Sequence, residues 1–455
     1  MVSYHQATLL NLKERIMSDL KAKSIYIPIE IKHRELQSQL LLAAKAAQKG
    51  YFVYVGSKKT IHQMVLKKKK NNGIFLYKGG HDLELLRKIK QKTEAYCIID
   101  QEIGPAFNEA FFAKRLDQEN QAAIDRYFAY DERVAKLASN TYPYLDKKAV
   151  VVSGWPRRDL WNNRWAHLYK HQASKIQKKY GSFFLFSSNF GFTSSDRIEK
   201  IKQEIKDEEN VYFKRVYLES AKKKYREYTL FIDWIKRFSS KNKNHKIVIR
   251  PHPAENHKAW FDDLKDIKNV DIVYEGEITP WISACRGLLH TGCTTSLQAH
   301  YLYKHVGFIQ LLSSIDDYYK QSKDVSDIIK DVDQQLSWMD EVTKKNSKLK
   351  NKINTDSKQE ATNIIMNEFL NLEVSDEPMF KFSFYDRSKF WLTSNADFFR
   401  FYLNSIRHND GYAHKLGHSI KYSEVRPFIK LINKNINVKA LAKNCFIVFD
   451  KSFIN

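Results

Sequence analysis

The chain has 455 residues, of which 43% are hydrophobic and 13% aromatic, and its formal net charge is +24. This length allows two domains with substantial cores, and the composition excludes an intrinsically disordered chain. The positive charge favours an anionic partner. Composition alone leaves open whether that partner is a nucleic acid, an anionic membrane leaflet or a phosphorylated small molecule.

The cysteines and the N-terminus are typical of a cytoplasmic protein. None of the four cysteines forms a CxxC pair, and no second Cys/His pair accompanies His290 and Cys293, so we expect neither a disulfide framework nor a metal site. Residues 1–5 lack a signal-peptide pattern, and no apolar run approaches the roughly 20 residues that cross a bilayer. We therefore expect a cytoplasmic protein that contacts a membrane only peripherally.

Strands and helices alternate in the first part of the chain. After an amphipathic leading helix to about Leu20, the pattern predicts a strand over 24–30, a helix over 34–47 and a strand over 51–56. This βαβ order implies a parallel sheet with right-handed crossovers. Further strands of the same half are predicted over 73–77, 95–100, 126–130 and 149–154.

A second α/β half begins with the strand predicted over 182–187. Residues 1–155 form the first predicted domain, and the basic, tryptophan-rich stretch 156–180 is predicted to connect it to a second domain over 181–354. Beyond residue 354 the alternation fades, and we predict a helical C-terminal region over 355–455. The fold class is therefore α/β, with two Rossmann-like halves.

The segment from Arg250 to Pro253 follows the apolar run Ile247-Val248-Ile249. Ligands of open α/β sheets bind at the carboxyl ends of the strands, where this segment is predicted to lie. Two prolines restrict the backbone around His252, so Arg250 and His252 are candidates to contact a phosphate, and His252 is also a candidate acid. The alternative is a rigid turn with an incidental histidine.

A loop of small polar residues, Thr291 to Ser296, follows the predicted strand 287–290 and precedes a helix. Hydroxyl groups and unpaired backbone N–H groups at such a position bind phosphate. An ordinary serine or threonine helix cap is the alternative. Together with the Arg-Pro-His-Pro segment, this loop favours a phosphate-binding site.

Two more loops follow predicted strands. Gly191 in the loop 187–192 permits close backbone approach to a ligand, and Glu102 in the loop 100–105 is either a base or acceptor contact in the cleft or an ordinary surface acid. The chain lacks GxxxxGK[ST] and GxGxxG segments, which argues against a P-loop ATPase and a nicotinamide enzyme.

These residues resemble, in their order, the surface carbohydrate biosynthesis proteins that include the bacterial β-Kdo transferases. Each similar segment is short, but their joint order over roughly the first 310 residues is specific. The similar segments are residues 27–30 with 34–36 and 41–42, 50–56, 100–102, 154–160, 188–191, 250–256, and 280–281 through 292–295.

The resemblance implies a GT-B glycosyltransferase, with two Rossmann-like domains facing across a cleft. It implies a CMP-activated sugar acid bound by the second domain without metal or other cofactor, and an acceptor glycan bound by the first domain near Glu30, Arg34 and Glu102. Residues 275–281 would line the nucleotide base. The residues expected to bind the nucleotide sugar are Asn189, Arg250, His252, Glu275, Gly276, Trp281, Thr291, Gly292, Thr294, Thr295, Ser296 and Gln298.

Two positions depart from the family pattern. Gln298 stands where related sequences often have a glutamate, a candidate ribose ligand. Retaining members also use a carboxylate nucleophile upstream of the histidine motif, for which Glu219 and Asp196 are the candidates here, with His252 and Glu102 completing the expected catalytic set. Both acids have an alternative interpretation as plain surface residues.

The sequence thus predicts transfer of a sugar acid, Kdo or a related nonulosonic acid, from its CMP ester to a growing surface polysaccharide, with a lipid-linked or growing glycan as acceptor. Two alternatives stay open. One is a transferase that uses a UDP- or CDP-linked donor, such as a glycerophosphate transferase. The other is a basic nucleic-acid-binding protein, which leaves both phosphate-type loops unexplained, so we expect no nucleic-acid partner.

Overall fold

A computed structural model describes most of the chain in ten main ranges. It also describes residues 383, 385, 388, 392 and 452. The leading helix predicted before residue 21 and the acid Glu102 lie outside the described residues. The ten ranges are 21–69, 71–101, 109–191, 195–206, 211–242, 244–252, 255–312, 320–345, 359–380 and 420–450.

The first sheet has eight strands. All strands of the protein share one numbering, which follows their order in the chain. Six strands of the first sheet are parallel neighbours in the order β3-β2-β4-β5-β6-β7, and β15 and β16 extend the β3 edge. The residues of β2, β4 and β5 are buried throughout because helices cover both faces of the sheet, which explains the continuous apolar runs in the sequence. The strands are β2 (Ser24–Ile29), β3 (Phe52–Ser57), β4 (Ile74–Tyr77), β5 (Ala95–Ile99), β6 (Arg126–Ala129), β7 (Val150–Val152), β15 (Ile436–Ala442) and β16 (Cys445–Asp450).

The second sheet has six strands and is parallel throughout, in the order β10-β9-β8-β11-β12-β13. Two apolar clusters cover its two faces, one around Phe186, Phe231 and Trp260 and the other around Trp281 and Leu288. A separate two-stranded pair joins β1 (Lys21–Ala22) to β14 (Glu377–Pro378). The sheet consists of β8 (Phe184–Ser187), β9 (Ile247–Arg250), β10 (Val270–Ile272), β11 (Gly287–His290), β12 (His305–Ile309) and β13 (Asp327–Ile329).

Helices connect the parallel strands, as βαβ crossovers require. In the first half these are α1 (Lys32–Gln48), α2 (Lys58–Leu66), α3 (Leu83–Lys90), α4 (Glu109–Ala113), α5 (Gln118–Ala122) and α6 (Glu132–Thr141). The second half has α9 (Ser195–Glu204), α10 (Val211–Lys241), α11 (His257–Leu264), α12 (Thr279–Ala284), α13 (Thr295–Tyr301), α14 (Lys320–Asp324) and α15 (Val332–Lys344). None of the helices in the described ranges is both long and apolar enough to cross a membrane.

The segment between the halves is helical. It contains α7 (Pro156–Asp159), a 3-10 helix over Asn163–Leu168 and α8 (Lys170–Tyr180). Arg158 of α7 lies over the ring of Tyr301 at 5.1 Å, and Trp161, just after α7, stacks on the same ring with centroids 5.8 Å apart. These contacts join the connecting segment to the second half beside the cleft.

The C-terminal region returns to the first half and is not entirely helical. Helix α16 (Ala361–Leu370) packs on α1 and α7, and α17 (Tyr422–Ile432) leads into the antiparallel hairpin β15–β16. Strand β16 pairs antiparallel with β3, which buries its run Cys445-Phe446-Ile447-Val448 in the first core. The predicted helical C-terminal region therefore contains these two helices and also a β-hairpin that the prediction did not include, because an antiparallel strand can join a sheet edge without a crossover helix.

The predicted α/β fold with two Rossmann-like sheets is confirmed. The two sheets present the carboxyl ends of their parallel strands to a common cleft, the arrangement that defines the GT-B fold. The predicted strands agree with the structure to within about two residues, the accuracy expected for element ends. The exact domain boundaries stay a prediction.

Candidate active site

A cavity of about 350 Å³ lies between the two sheets, lined by residues of both halves. On the second-half wall are the loops that follow β8, β9, β10 and β11, where the ends of parallel strands meet. The first-half wall is formed by α1, the end of β5 and the connecting segment. The predicted residues that line the cavity are Arg34, Asn189, Arg250, His252, Gly276, Gly292, Thr294, Thr295 and Gln298.

The fully buried carboxylate of Glu255 ties the loop after β8 to the loop after β9. Its Oε2 accepts hydrogen bonds from Ser188 Oγ at 2.5 Å, Trp260 Nε1 at 2.9 Å and the backbone N–H of His252 at 3.2 Å. Its Oε1 accepts from the backbone N–H groups of Phe190 and Gly191 at 2.6 and 3.1 Å. Burial raises the pKa of Glu255, and the hydrogen bonds from Ser188, Gly191, Phe190 and Trp260 oppose that shift. The backbone at His252 is thus fixed by Glu255.

Arg250 braces the loop after β10. Its guanidinium donates to the carbonyl oxygens of Glu275 at 2.7 Å and Gly276 at 2.9 Å, and it lies over the Trp281 ring at 5.0 Å. Burial lowers the pKa of Arg250 to about 10, so the group keeps its charge at neutral pH. Arg250 lines the cavity, and its terminal nitrogens also hold the loop after β10 in position.

Trp281 and Glu275 hold positions different from those predicted. The indole of Trp281 is buried beneath Arg250 and donates to the carbonyl oxygen of Glu275 at 3.0 Å. The Glu275 carboxylate is exposed and lies 3.4 Å from Lys179 Nζ. The backbone of this loop, and not these two side chains, faces the cavity, because the side chains pack behind the loop or point to solvent.

The small-residue loop after β11 is held open by His290 and Asn189. The backbone N–H of Gly292 donates to His290 Nδ1 at 3.0 Å, and Asn189 Nδ2 donates to the Gly292 carbonyl at 2.8 Å. Gly292 has a φ of +116°, which side-chain-bearing residues rarely adopt. Thr294 and Thr295 line the cavity, and Ser187 Oγ donates to Thr295 Oγ1 at 3.2 Å.

Two residues of the same loop point away from the cavity. Thr291 is buried, and Ser296 is buried with its hydroxyl donating to the Cys293 carbonyl at 2.7 Å. Both were predicted to bind the nucleotide sugar. Neither residue lines the cavity, because the four residues between them, 292–295, form this part of its wall.

Glu277 supplies an acidic group that the sequence prediction did not single out. Among the described residues that line the cavity, it carries the single carboxyl group. Its two oxygens accept from Thr279 N at 2.8 Å and Thr279 Oγ1 at 2.5 Å, and Thr279 Oγ1 in turn accepts from Gln298 Nε2 at 2.6 Å. Gln298 therefore reaches the cavity as part of a hydrogen-bonded chain that ends at Glu277.

Two arginines on the first-half wall face the loops of the second half. Arg34 comes from the first turn of α1 and Arg157 from α7. The Arg157 guanidinium lies 4.6 Å from the Trp155 ring and 5.9 Å from the Trp161 ring, so aromatic faces support it. The cavity thus has cationic groups on both walls.

Glu30 lies at the carboxyl end of β2 but not on the cavity wall. Its Oε2 accepts from Tyr77 OH at 3.3 Å and forms ion pairs with Lys78 at 3.4 Å and Lys58 at 3.5 Å. Of the two acceptor-binding residues predicted, Arg34 reaches the cavity and Glu30 belongs to this neighbouring ionic cluster.

The predicted nucleophile candidates receive no support from their positions. Glu219 is exposed on α10, pairs with Lys222 at 2.9 Å and does not line the cavity, so its position gives the predicted catalytic role no support and the role stays a prediction. Asp196 lies in the first turn of α9, and its side chain, like the whole of Glu102, is outside the described residues.

Sequence reasoning missed Arg157, Glu255, Glu277 and His290. Arg157 and Glu255 lie inside quoted motifs, and Glu277 lies inside the stretch expected at the nucleotide base. Their roles depend on burial and on partners far away in the chain. A carboxylate two residues before a Thr-Pro helix start is the one local signal that could have drawn notice to Glu277.

No protein-family model and no curated protein matches the sequence. Several solved structures are similar. UDP-GlcNAc 2-epimerase from Methanocaldococcus jannaschii is 10% identical over 76% of this chain and 99% of its own, with a TM-score of 0.47. The S. aureus MnaA–UDP co-structure is 12% identical over 79% and 100%, with a TM-score of 0.46. A variant of the wall teichoic acid polymerase TagF is 10% identical over 66% and 73%, with a TM-score of 0.34.

At these identities and TM-scores, the substrates of those proteins give no guidance on the substrate of this chain. The functional proposal therefore rests on the side chains that line the cavity of this chain.

Proposed function

We propose that this chain is a glycosyltransferase that moves a sugar acid, Kdo or a related nonulosonic acid, from its CMP ester to a growing bacterial surface polysaccharide. The observation that carries the proposal is the cavity between the two sheets, which combines a small-residue loop on one wall with arginines on both. An elongated ligand with negative charge at two points fits such a cavity.

The donor phosphate is assigned to the second-half wall. Thr294 and Thr295 offer hydroxyl groups, and His252 lines the cavity beside them at the end of β9. Arg250, charged but partly engaged with the Glu275–Gly276 backbone, adds a fixed positive field. Preorganised donors of this kind stabilise the charge that develops on a departing phosphate.

The carboxylate of the sugar acid is assigned to the first-half wall. Arg34 and Arg157 line that wall opposite the small-residue loop, and a guanidinium pairs well with a carboxylate. In the proposal, this pairing accounts for the cationic groups on the first-half wall.

The acceptor is proposed to be a lipid-linked or growing glycan that enters from the first-half side, near Arg34 and the Glu30 cluster. The net charge of +24 would attract both the anionic donor and an anionic inner leaflet where such acceptors lie. This membrane contact is peripheral in the proposal, and the reaction as proposed uses no cofactor.

The proposal is tested with a panel of CMP-, UDP- and CDP-linked donors and detection of the released nucleotide. We expect CMP release from a CMP-sugar acid in the presence of an oligosaccharide acceptor, and a loss of at least about 100-fold in His252→Ala. Release of UMP or UDP, or unchanged turnover in His252→Ala, would contradict the proposal. Tight, salt-dependent nucleic-acid binding without turnover would favour the nucleic-acid alternative.

A further inference from the structure

Glu277 lies where the second-half wall approaches the connecting segment of the first half. It is the single carboxyl among the described cavity-lining residues, which otherwise contribute cationic, neutral polar and apolar groups. A transfer to a hydroxyl group needs a site for the hydroxyl proton. The proposed phosphate and carboxylate contacts are made by arginines and hydroxyl groups, which are not bases at neutral pH, and by His252, whose imidazole is assigned to the donor phosphate.

The hydrogen bonds of Glu277 fix its orientation. Thr279 donates to both carboxylate oxygens, and the Thr279 hydroxyl receives its own hydrogen bond from Gln298. These donors stabilise the ionised form, and each carboxylate oxygen has two lone-pair sites, so each keeps one for a further partner. The side chain is thus held with acceptor capacity left at the cavity wall.

The charged and titratable groups around Glu277 come from several elements. Arg250 of β9 and Arg157 of α7 favour the ionised carboxylate, and the phenol of Tyr169, just before α8, lies near the same carboxylate. Burial outweighs the two arginines and raises the pKa of Glu277 to about 7. A carboxyl with such a pKa accepts a proton at neutral pH and releases it again, as a general base must.

We propose that Glu277 is the general base of this cleft and accepts the proton of the acceptor hydroxyl during transfer. The acceptor oxygen bonds to the anomeric carbon, the bond from that carbon to the phosphate oxygen breaks, and the phosphate leaves with the electron pair. The hydroxyl proton passes to Glu277 and later to solvent. This inference rests on the proposed glycosyl transfer, and as a single displacement it inverts the configuration at the anomeric carbon.

The test compares wild type, Glu277→Gln and the surface control Glu341→Gln, with CMP affinity measured by calorimetry beside turnover. Glu277→Gln keeps the shape and one of the two hydrogen bonds from Thr279 but cannot take the proton, so we expect kcat to fall by about 100-fold or more. We expect CMP affinity to change less than about threefold. Glu341 is exposed on α15, and its variant should match wild type.

The pH profile and the product separate a base from a structural residue. In wild type, kcat/KM should fall as pH drops below about 7, and the residual activity of Glu277→Gln should lose that dependence. A pH-independent wild-type profile between pH 5 and 8, retention of anomeric configuration, or near-normal turnover in Glu277→Gln would overturn the inference. The pH profile and the anomeric configuration of the product are measured on wild type, so they test the inference even if Glu277→Gln does not fold.

Failure of this inference is distinct from failure of the proposed function. If wild type binds CMP and transfers a sugar while Glu277→Gln is active, the function stands and the role of Glu277 falls. If wild type neither binds CMP nor turns over any CMP-linked donor, the function itself is wrong, and the role of Glu277 falls with it.

Discussion

The carboxylate of Asp159 accepts two hydrogen bonds from Thr362, one from the backbone N–H at 2.9 Å and one from Oγ1 at 2.7 Å. A third comes from the backbone N–H of Ala361 at 2.9 Å. A residue of α7 thus caps α16, a helix about 200 residues later in the chain. Through this cap, the connecting segment holds the start of the C-terminal region against the first half.

Asp159→Ala is expected to lower the free energy of unfolding by about 3 kcal/mol, because it removes a helix cap and leaves buried donors without an acceptor. Urea unfolding followed by circular dichroism measures the change. Asp331→Ala provides the control, since the exposed Asp331 caps its own helix by accepting from Gln334 N at 2.8 Å and its loss should cost only about 1 kcal/mol. Equal losses in the two variants would argue against the anchoring role of Asp159.

Glu255→Ala is expected to destabilise the second half by about 3 to 5 kcal/mol, because five donors lose their shared acceptor in the interior. Glu255→Gln should cost less, since its amide still accepts some of these bonds. Thermal unfolding and CMP affinity are the measurements. Stability near wild type in Glu255→Ala would show that the two loops hold their positions without this carboxylate.

Gly292→Ala is expected to weaken CMP binding at least tenfold, because alanine at a φ of +116° costs about 1 to 3 kcal/mol and moves the loop. Calorimetric titration with CMP measures the affinity. Gly79→Ala is the control, because Gly79 lies in the first half and does not border the cavity. An unchanged CMP affinity in Gly292→Ala would remove the small-residue loop from the proposed site.

Three buried histidines predict a loss of stability in mild acid. Burial lowers the pKa of His62 to about 4 and those of His81 and His290 to about 3, from an ordinary value of 6.5. Between pH 4 and pH 6.5 the unfolded chain therefore binds more protons than the folded protein does. The free energy of unfolding is highest above pH 6.5 and falls as the pH decreases toward 4. The expected loss at pH 5 is about 2 kcal/mol for each of them.

Urea unfolding at pH 7 and pH 5 measures this loss. His81 Nε2 lies 3.2 Å from His62 Nε2, and His81 Nδ1 lies 2.7 Å from Tyr96 OH, so His81→Gln should reduce the pH dependence even though it destabilises the protein at pH 7. His167→Gln, at an exposed position, should leave the dependence unchanged. Equal stability of wild type at the two pH values would contradict the prediction.

The strands could be predicted from sequence because those of a parallel sheet are buried on both faces and appear as short apolar runs, as Ile247–Ile249 does. Their order also placed Arg250, His252 and the small-residue loop at one edge, since parallel strands end together. The chemical role of Arg250 could not be predicted in the same way. Its hydrogen bonds to Glu275 and Gly276 depend on a loop about 25 residues away.

The other differences between the sequence prediction and the structure have one physical cause, which is contact between residues far apart in the chain. Acids are common on protein surfaces, and only tertiary packing distinguishes the exposed Glu219 from the buried Glu255 or the cavity-lining Glu277. The strand Cys445–Asp450 is apolar like the others, but its antiparallel partner Phe52–Ser57 lies almost 400 residues earlier. Local sequence patterns carry no information on pairing at that separation.

The pairing of β16 with β3 also sets the order in which the protein can assemble during synthesis. The second sheet is encoded entirely between the two parts of the first, so a ribosome releases the complete second sheet while the first still lacks its last two strands. Until those strands arrive, β3 presents an unpaired hydrogen-bonding edge, a known site of unwanted association. Nascent chains of this protein are therefore expected to need protection at β3 until β15 and β16 have been synthesised.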